Sequence, residues 1–236
     1  MVSKCLLKTL EIECCPALKS IPSINGLTSL HSFTLRSCDG IACLPSGLQS
    51  CTSLKTLRVE SCHNLISFPD IQALHSLSTL QITSCEKITR LPGGLHCLTR
   101  LVNLMVGPFS EELNSFPSLE GVQHLQASLR YVYLCGWPHW NSIPEQLQYL
   151  TVLKSIELSG FGVEALPDWF ENFSYLESLS LDRFESIKFL LPREAMRHLT
   201  KLESLRIQNC PLLKERYAKA LGPKWLNIAH ISRIVI

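Results

Sequence analysis

The sequence has no long apolar run, no strong charge bias and few charged residues. None of its hydrophobic stretches approaches the roughly 18 residues that a transmembrane helix needs, and the apolar stretch near Met1 is too short for a signal peptide. The 22 basic and 20 acidic residues give a formal charge of +2, so electrostatics gives no reason to expect a nucleic-acid or membrane-surface partner. Because 46% of the 236 residues are hydrophobic, a folded core is expected.

Motifs that mark catalytic or metal sites are also missing. The sequence contains no G-x-S-x-G, no H-E-x-x-H and no G-x-x-x-x-G-K-[S/T] phosphate loop, and its eight histidines are scattered. No pair among the eleven cysteines has the C-x-x-C spacing. We therefore expect no enzymatic activity, no cofactor, no metal site and no small-molecule substrate. An odd number of cysteines without a secretion signal favours a reducing compartment.

A nine-residue frame, L-x-x-L-x-L-x-x-C, recurs along the chain. Residues 7–15 and 54–62 both fit it. The same frame starts again at Leu30, Leu77, Leu101, Leu129, Leu153, Leu176 and Leu202. The last six residues, which begin at Ile231, fit its first six positions. Successive starts lie 23 to 29 residues apart, which is the spacing of leucine-rich repeats.

The pattern within each repeat predicts the path of one coil. Apolar residues follow at positions 12 and 15 and proline at position 16, as in Leu65, Phe68 and Pro69. Each coil should form a short strand whose positions 4 and 6 point inward, followed by a turn and an irregular or short helical return. A single coil cannot bury its apolar face, so coils must stack. The sequence therefore predicts an α/β leucine-rich-repeat solenoid of about nine to ten repeats, a curved right-handed stack with a parallel sheet on its concave face.

Departures from the frame suggest the domain limits. We predict a solenoid over residues 1–216 and, in the same domain, a C-terminal cap with the last strand over 217–236, with a short helix within 214–222. The fifth coil is 28 residues long, which predicts a protruding loop at 113–128. The first coil begins without a cap, so we expect the chain to have been cut from a longer protein.

Position 9 of the frame carries cysteine in five coils: Cys15, Cys38, Cys62, Cys85 and Cys210. These cysteines could be metal ligands or redox thiols. A buried ladder that caps the turn after each strand is favoured, since a repeat produces such a column by itself. The other coils place large apolar side chains there, which suit packing and exclude ligation: Phe109, Trp137, Phe161 and Phe184.

The candidate binding surface is the strand face, which we define as the side chains at positions 3, 5 and 7. A mixed-charge cluster comprises Glu11, Glu13, Arg36, Arg58 and Glu60. An aromatic zone comprises Met105, Tyr131 and Tyr133, with Trp137 and Trp140 following on the loop. Tyr, Trp, Met and Arg are enriched at the centres of protein interfaces. We therefore predict protein contacts by Arg36, Arg58, Glu60, Met105, Tyr131, Tyr133, Trp137 and Trp140. A solvated sheet with compensating cross-strand charges remains the alternative.

Two segments carry a family resemblance. Residues 77–92 follow L-x-x-L-x-I-x-x-C-x-x-L-x-x-L/F-P with Ile88 at the twelfth position, and the chain ends with CPLLKERY at 210–217 and GPKWLNIAHI at 222–231. This pattern resembles the C-terminal leucine-rich-repeat domain of plant intracellular nucleotide-binding leucine-rich-repeat disease-resistance proteins of the coiled-coil group. The coiled-coil and nucleotide-binding modules are not among these residues.

The resemblance implies a role in plant innate immunity. The repeats would recognise a pathogen effector or a guarded host protein and restrain the nucleotide-binding module of the parent receptor. It also implies a cytoplasmic location that allows nuclear shuttling, and the balanced charge adds the expectation of no nucleic-acid or membrane partner. No contact residue transfers by analogy, because repeats of this family differ most on the concave face. Two other readings stay open: a ubiquitin-ligase substrate receptor, which needs an upstream F-box, and a receptor-kinase ectodomain, which the single glycosylation triplet at Asn172 disfavours.

Overall fold

The computed structural model describes residues 6–218 and 224–236 and divides the chain into two compact units. The first unit comprises the described residues up to Leu113 together with Pro117–Leu129. The second comprises Asn114–Phe116 and the described residues from Arg130 onward. Each unit contains five of the ten parallel strands in the part of the chain that is described.

The five strands of the first unit pair in chain order, each with the strand of the next coil. All occupy positions 3 to 7 of the repeat, so that Leu57 of one coil lies opposite Leu80 of the next. They are β1 (Thr9–Glu13), β2 (Ser32–Arg36), β3 (Thr56–Glu60), β4 (Thr79–Thr83) and β5 (Asn103–Gly107). The return segments form short 3₁₀ helices at Leu48–Ser50, Leu95–Cys97 and Val122–Leu125.

The second unit repeats this arrangement. Its strands are β6 (Tyr131–Cys135), β7 (Ser155–Ser159), β8 (Ser178–Asp182), β9 (Ser204–Gln208) and β10 (Arg233–Val235). Its return segments include 3₁₀ helices at Glu145–Tyr149, Asp168–Asn172 and Trp225–Asn227, and two α-helices, α1 (Arg193–His198) and α2 (Pro211–Tyr217). All helices in residues 6–218 and 224–236 are too short to span a bilayer.

The core consists of the inward positions of the strands. Leu57 and Val59 of β3, like Leu179 and Leu181 of β8, have no exposed surface. Burying each such side chain stabilises the fold by roughly 1.5–3 kcal/mol, and only the adjacent coils can cover it. These observations confirm the predicted leucine-rich-repeat solenoid and the inward direction of positions 4 and 6.

Position 8 turns the chain out of each strand, and this feature was not predicted. Serines there adopt the left-handed conformation, for example Ser61 at φ 52° and Ser84 at φ 54°. The Ser61 amide still donates a 3.0 Å hydrogen bond to the Thr83 carbonyl in the next coil. The hydrogen bonding between the two strands thus extends by one residue. The backbone of that residue has a conformation that is strained for any residue with a Cβ.

The cysteine column forms the predicted buried ladder at Cys38, Cys62, Cys85 and Cys210. The Cys62 sulfur lies 3.5 Å from the carbonyl oxygen of Glu60 in its own coil and 3.9 Å from that of Leu35 in the preceding coil. Each thiol thus caps its own turn and contacts the adjacent coil. Cys15 departs from the prediction: its thiol bonds the Glu13 carbonyl, but the residue is exposed.

Two predictions about irregular segments need correction. Residues 113–128 do not form a protruding loop, because Phe116, Leu119, Val122 and Leu125 are buried and a 3₁₀ helix closes the segment. The helix expected within 214–222 begins earlier, at Pro211, whose missing amide proton suits a first helical turn. The end of that predicted range, from 219, lies outside the described residues.

Adjacent glycines predict a sharp contrast in stability. Gly94 has φ +88°, and a Cβ there would lie 2.5 Å from the Gln72 amide nitrogen, whereas a Cβ on Gly93 would meet nothing closer than 3.5 Å. Gly94→Ala should lower the free energy of unfolding by roughly 1–3 kcal/mol, and Gly93→Ala should change it by at most about 0.5 kcal/mol. Urea denaturation followed by circular dichroism measures both values, and equal stability of the two variants would contradict this account.

The ladder also predicts which thiols react. Burial raises the pKa of the Cys85 thiol from its ordinary 9.0 to about 12. The folded state therefore holds this proton more tightly than the unfolded state, so the stability gained is full below pH 9 and declines as pH rises from about 9 to 12. Iodoacetamide at pH 8.5 should alkylate exposed Cys43 and leave Cys85 unmodified until urea is added. Mass spectrometry would contradict the ladder if both cysteines were modified equally fast in the folded protein.

Candidate functional site

Each unit presents its own strand face, because positions 3, 5 and 7 alternate with the buried positions 4 and 6. Residues of one column lie opposite one another in neighbouring coils, as Thr34 lies opposite Arg58. Adjacent parallel strands are about 4.8 Å apart. A column of unrelated side chains is thereby held at fixed intervals, which is a geometry suited to contacting another protein.

In the first unit, Arg36 lies between two carboxylates. Its Nε is 3.0 Å from Glu60 Oε2, and one terminal nitrogen is 3.7 Å from Glu13 Oε1. These side chains are 33–46% exposed, so each pair contributes about 0–1 kcal/mol. The structure thus brings Arg36 and Glu60 together as a cross-strand ion pair. Such a pair is what the alternative, a solvated sheet with compensating cross-strand charges, predicts.

The predicted Arg58 differs from Arg36. It is exposed on β3, and within residues 6–218 and 224–236 it makes no ion pair or side-chain hydrogen bond. Its in-register neighbours are Thr34 and Gln81, and Gln81 donates instead to the Thr83 hydroxyl at 3.1 Å. Met105 lies half-buried opposite Gln81. Arg58 and Met105 therefore remain available to a partner on this face.

In the second unit, Tyr131 and Tyr133 are half-buried on β6. The Tyr131 hydroxyl donates a 2.9 Å hydrogen bond to Glu157 Oε2 on β7. Burial, followed by this bond and the charge of Glu157, raises the pKa of Tyr131 far above neutral pH. Burial is also the main cause of the raised pKa of Tyr133. Both phenols stay protonated, and the single proton of Tyr131 is donated to Glu157. Glu157, which fixes one of them, was not among the predicted site residues.

The remaining carboxylate of this strand face is fully engaged. Asp182 accepts hydrogen bonds from Arg183 Nε at 3.0 Å and from Asn209 Nδ2 at 2.8 Å. The Ser159 hydroxyl donates to the same carboxylate at 3.4 Å. The negative charge of Asp182 is therefore compensated by residues of its own unit.

The structure corrects the prediction for Trp140. This side chain has no exposed surface, and its ring lies 5.7 Å from Phe116 and 6.4 Å from Phe161, measured between ring centroids. Edge-on and tilted rings at such distances are favourable aromatic packing. Trp140 therefore belongs to the interior. Trp137 is half-buried at the turn after β6, where it occupies the column in which other coils carry cysteine.

A second concavity lies on the return side of the first unit. This open groove of about 550 Å³ is lined by Arg90, Glu120 and the imidazoles of His96 and His124, whose ring centroids are 6.3 Å apart. No group of three or more His, Cys, Asp or Glu residues in the described part of the chain could hold a metal ion. This groove was not predicted from the sequence.

The interior position of Trp140 yields a testable contrast with Tyr149, which is 53% exposed in the same unit. Trp140→Ala should destabilise the protein by roughly 3–5 kcal/mol, because it leaves a cavity between aromatic rings. Tyr149→Ala should change stability by at most about 0.5 kcal/mol. Thermal and urea denaturation measure both. A Trp140→Ala variant as stable as Tyr149→Ala would place the indole at the surface after all.

Comparison of the sequence with protein families gives one match. Residues 135–210 match the family model described as R13L1/DRL21 LRRs, which is a set of leucine-rich repeats of plant resistance proteins. The match covers β7, β8 and β9 and the return segments that follow β6, β7 and β8, and so falls in the second unit. No curated protein matches the chain.

Three solved structures resemble the chain at low sequence identity. A leucine-rich-repeat protein of Leptospira interrogans is 23% identical with a TM-score of 0.54, over 89% of this chain and 60% of that one. An internalin of Listeria monocytogenes, InlF, is 18% identical with a TM-score of 0.49, over 92% and 71%. The functional domain of InlJ, from the same organism, is 15% identical with a TM-score of 0.47, over 94% and 54%. The chain thus spans about three fifths of the Leptospira structure, and the likeness concerns the fold alone.

Proposed function

We propose that this leucine-rich-repeat domain is the recognition module of a plant intracellular immune receptor. It binds a pathogen effector or a guarded host protein through its strand face, and it restrains a nucleotide-binding module of the parent receptor. The receptor acts in the cytoplasm, and shuttling to the nucleus is compatible with this role. The domain needs no cofactor, and its partners are proteins.

The observation that carries the proposal is the pair of half-buried tyrosines on β6. Tyrosine combines a large apolar surface with a hydrogen-bonding tip, and its side chain loses little conformational freedom on binding. The hydrogen bond from Tyr131 to Glu157 already fixes one ring before any partner arrives. A preorganised aromatic pair of this kind is typical of the centre of an interface.

The match to the repeats of plant resistance proteins supports the immune role. It includes three of the five strands of the second unit and ends at Cys210. The terminal segment that resembles disease-resistance receptors begins at the same cysteine. The family match and the terminal resemblance therefore meet at Cys210 without a gap, which favours a common origin for the two segments.

Restraint of a second module requires contacts that can be exchanged. The Arg36 guanidinium satisfies this requirement, because its bonds to Glu13 and Glu60 lie at the surface and are weak. A partner carboxylate can replace either acidic side chain at small energetic cost. Such contacts would also be screened by salt, with a Debye length of about 8 Å at physiological ionic strength.

Replacement of the tyrosine pair tests the proposal. Tyr131→Ala with Tyr133→Ala should abolish capture of partner proteins from pathogen-challenged plant tissue and leave the circular dichroism unchanged, because the rings supply the interface centre. The matched control is Tyr149→Ala with Tyr175→Ala, which removes two tyrosines that are 53% and 49% exposed elsewhere in the same unit.

The captured proteins are then identified by mass spectrometry and rebound in purified form. A pathogen protein, a host target or a nucleotide-binding module that binds the wild type and the control, but not the β6 variant, agrees with the proposal. Equal binding by all three forms would remove the strand face of the second unit from the recognition surface. Binding of F-box or other ubiquitin-ligase subunits instead would favour a substrate-receptor role.

A further inference from the structure

Two arginines on the strand face of the second unit have no side-chain partner among the described residues. Arg206 occupies position 5 of β9, and Arg233 occupies position 3 of β10. Both are exposed, and neither guanidinium makes an ion pair or hydrogen bond with another side chain in the described residues. The register places Arg233 opposite Ser204, which is two residues before Arg206 on the same face. The two charges therefore lie on adjacent strands.

The carboxylates of this face, unlike the two arginines, have hydrogen-bond partners. Glu157 accepts a hydrogen bond from the Tyr131 hydroxyl, and Asp182 accepts hydrogen bonds from Arg183, Asn209 and Ser159. Acidic groups on β7 and β8 thus have hydrogen-bond donors in the same unit, whereas the arginines of β9 and β10 have no side-chain acceptor among the described residues. The charged groups of this face that lack a hydrogen-bond partner there are positive and lie at one end.

The residues beside the two arginines on this face are serines, which are short and polar. Ser180 lies opposite Arg206, and Ser178 lies opposite Ser204. All three serines are half-buried, so both longer arginine side chains stand above them. A guanidinium can then approach a carboxylate in the paired, two-bond geometry that arginine favours. The serine hydroxyls beneath offer further hydrogen bonds to an extended backbone.

We propose that the strand face of the second unit binds an acidic peptide segment of a partner protein. An apolar residue of the segment contacts Tyr133, and carboxylates further along it bind Arg206 and Arg233. This inference rests on the proposed function and names the chemistry of the partner. Tyr133 and Arg206 share position 5 on strands that are three intervals apart, which is about 14 Å. An extended segment covers that distance with about four residues.

A peptide fits this face better than a nucleic acid does. Two exposed arginines give too few phosphate contacts for a nucleic-acid strand, whose binding uses a continuous basic stripe. Glu157, whose hydrogen-bond partner Tyr131 is neutral, also lies between the tyrosines and the arginines, where its negative charge would repel a polyphosphate backbone. A peptide can place small neutral residues at that point and acidic residues only at its end.

The test uses defined probes on the full chain. The blocked peptide Phe-Ser-Gly-Ser-Glu-Glu is titrated into ¹⁵N-labelled protein at low salt, in parallel with Phe-Ser-Gly-Ser-Gln-Gln and a single-stranded DNA hexanucleotide. We expect the acidic peptide to shift amide resonances of β6, β9 and β10, and the glutamine peptide to bind more weakly. Arg206→Glu with Arg233→Glu should weaken binding of the acidic peptide roughly tenfold or more, because it replaces attraction by repulsion.

The control variant is Arg100→Glu with Arg193→Glu, which makes the same change of net charge at two exposed arginines outside the strands. It should bind the acidic peptide as the wild type does. Absence of binding to the wild type, equal loss in both variants, or equal binding of the glutamine peptide would each overturn the inference. Tighter binding of the DNA through the same arginines would also overturn it, in favour of a nucleic-acid site.

The result of the acidic-peptide test can be distinguished from the result of the test of the proposed function. A partner that depends on Tyr131 and Tyr133 but is unaffected by Arg206→Glu with Arg233→Glu would leave recognition intact and refute the acidic segment. Acidic-peptide binding without any tyrosine-dependent partner would support the peptide site and count against the proposed function.

Discussion

The structure depends on one constraint: no coil can bury its own apolar residues. The inward side chains at positions 4 and 6, such as Leu57 and Val59, reach zero exposure only because coils lie on both sides of them. In-register parallel pairing is the arrangement that keeps these positions aligned from coil to coil. The left-handed residue at position 8 and the thiol at position 9 then serve the same constraint, since both bond to an adjacent coil.

This division of roles leaves the strand face free to carry function. Most side chains at positions 3, 5 and 7 are exposed or half-buried, with buried exceptions such as Thr34, Cys135 and Ser159, so most of them can differ without loss of the fold. In the first unit they form a compensated charge pair around Arg36 and an unpaired Arg58. In the second unit they place two tyrosines at one end of the face and, at the other, two arginines that are unpaired among the described residues, with the hydrogen-bonded acids Glu157 and Asp182 between them.

The repeat was predictable because it depends on local, periodic chemistry. Leucine spacing was enough to predict the strands, the inward positions and the buried thiols of Cys38, Cys62, Cys85 and Cys210. The burial of Trp140 was not predictable, because a position in a turn does not tell which rings pack against the side chain. In the structure Phe116 and Phe161 pack against it. The positive φ of Ser61 was equally hidden, since glycine, the usual signal, is missing. The unpaired state of Arg206 requires knowing which acids find other donors, and that is a property of the folded face.

Hydroxyl-radical footprinting of the chain with and without a purified partner tests the central claim most directly. The claim is that recognition occurs on the strand face of the second unit. The account predicts that a partner slows oxidation of Tyr131 and Tyr133 and leaves the rates at Tyr149 and Tyr175 unchanged. Protection of Tyr149 and Tyr175, with unchanged oxidation of the β6 tyrosines, would show that the partner binds the return side and would contradict the account.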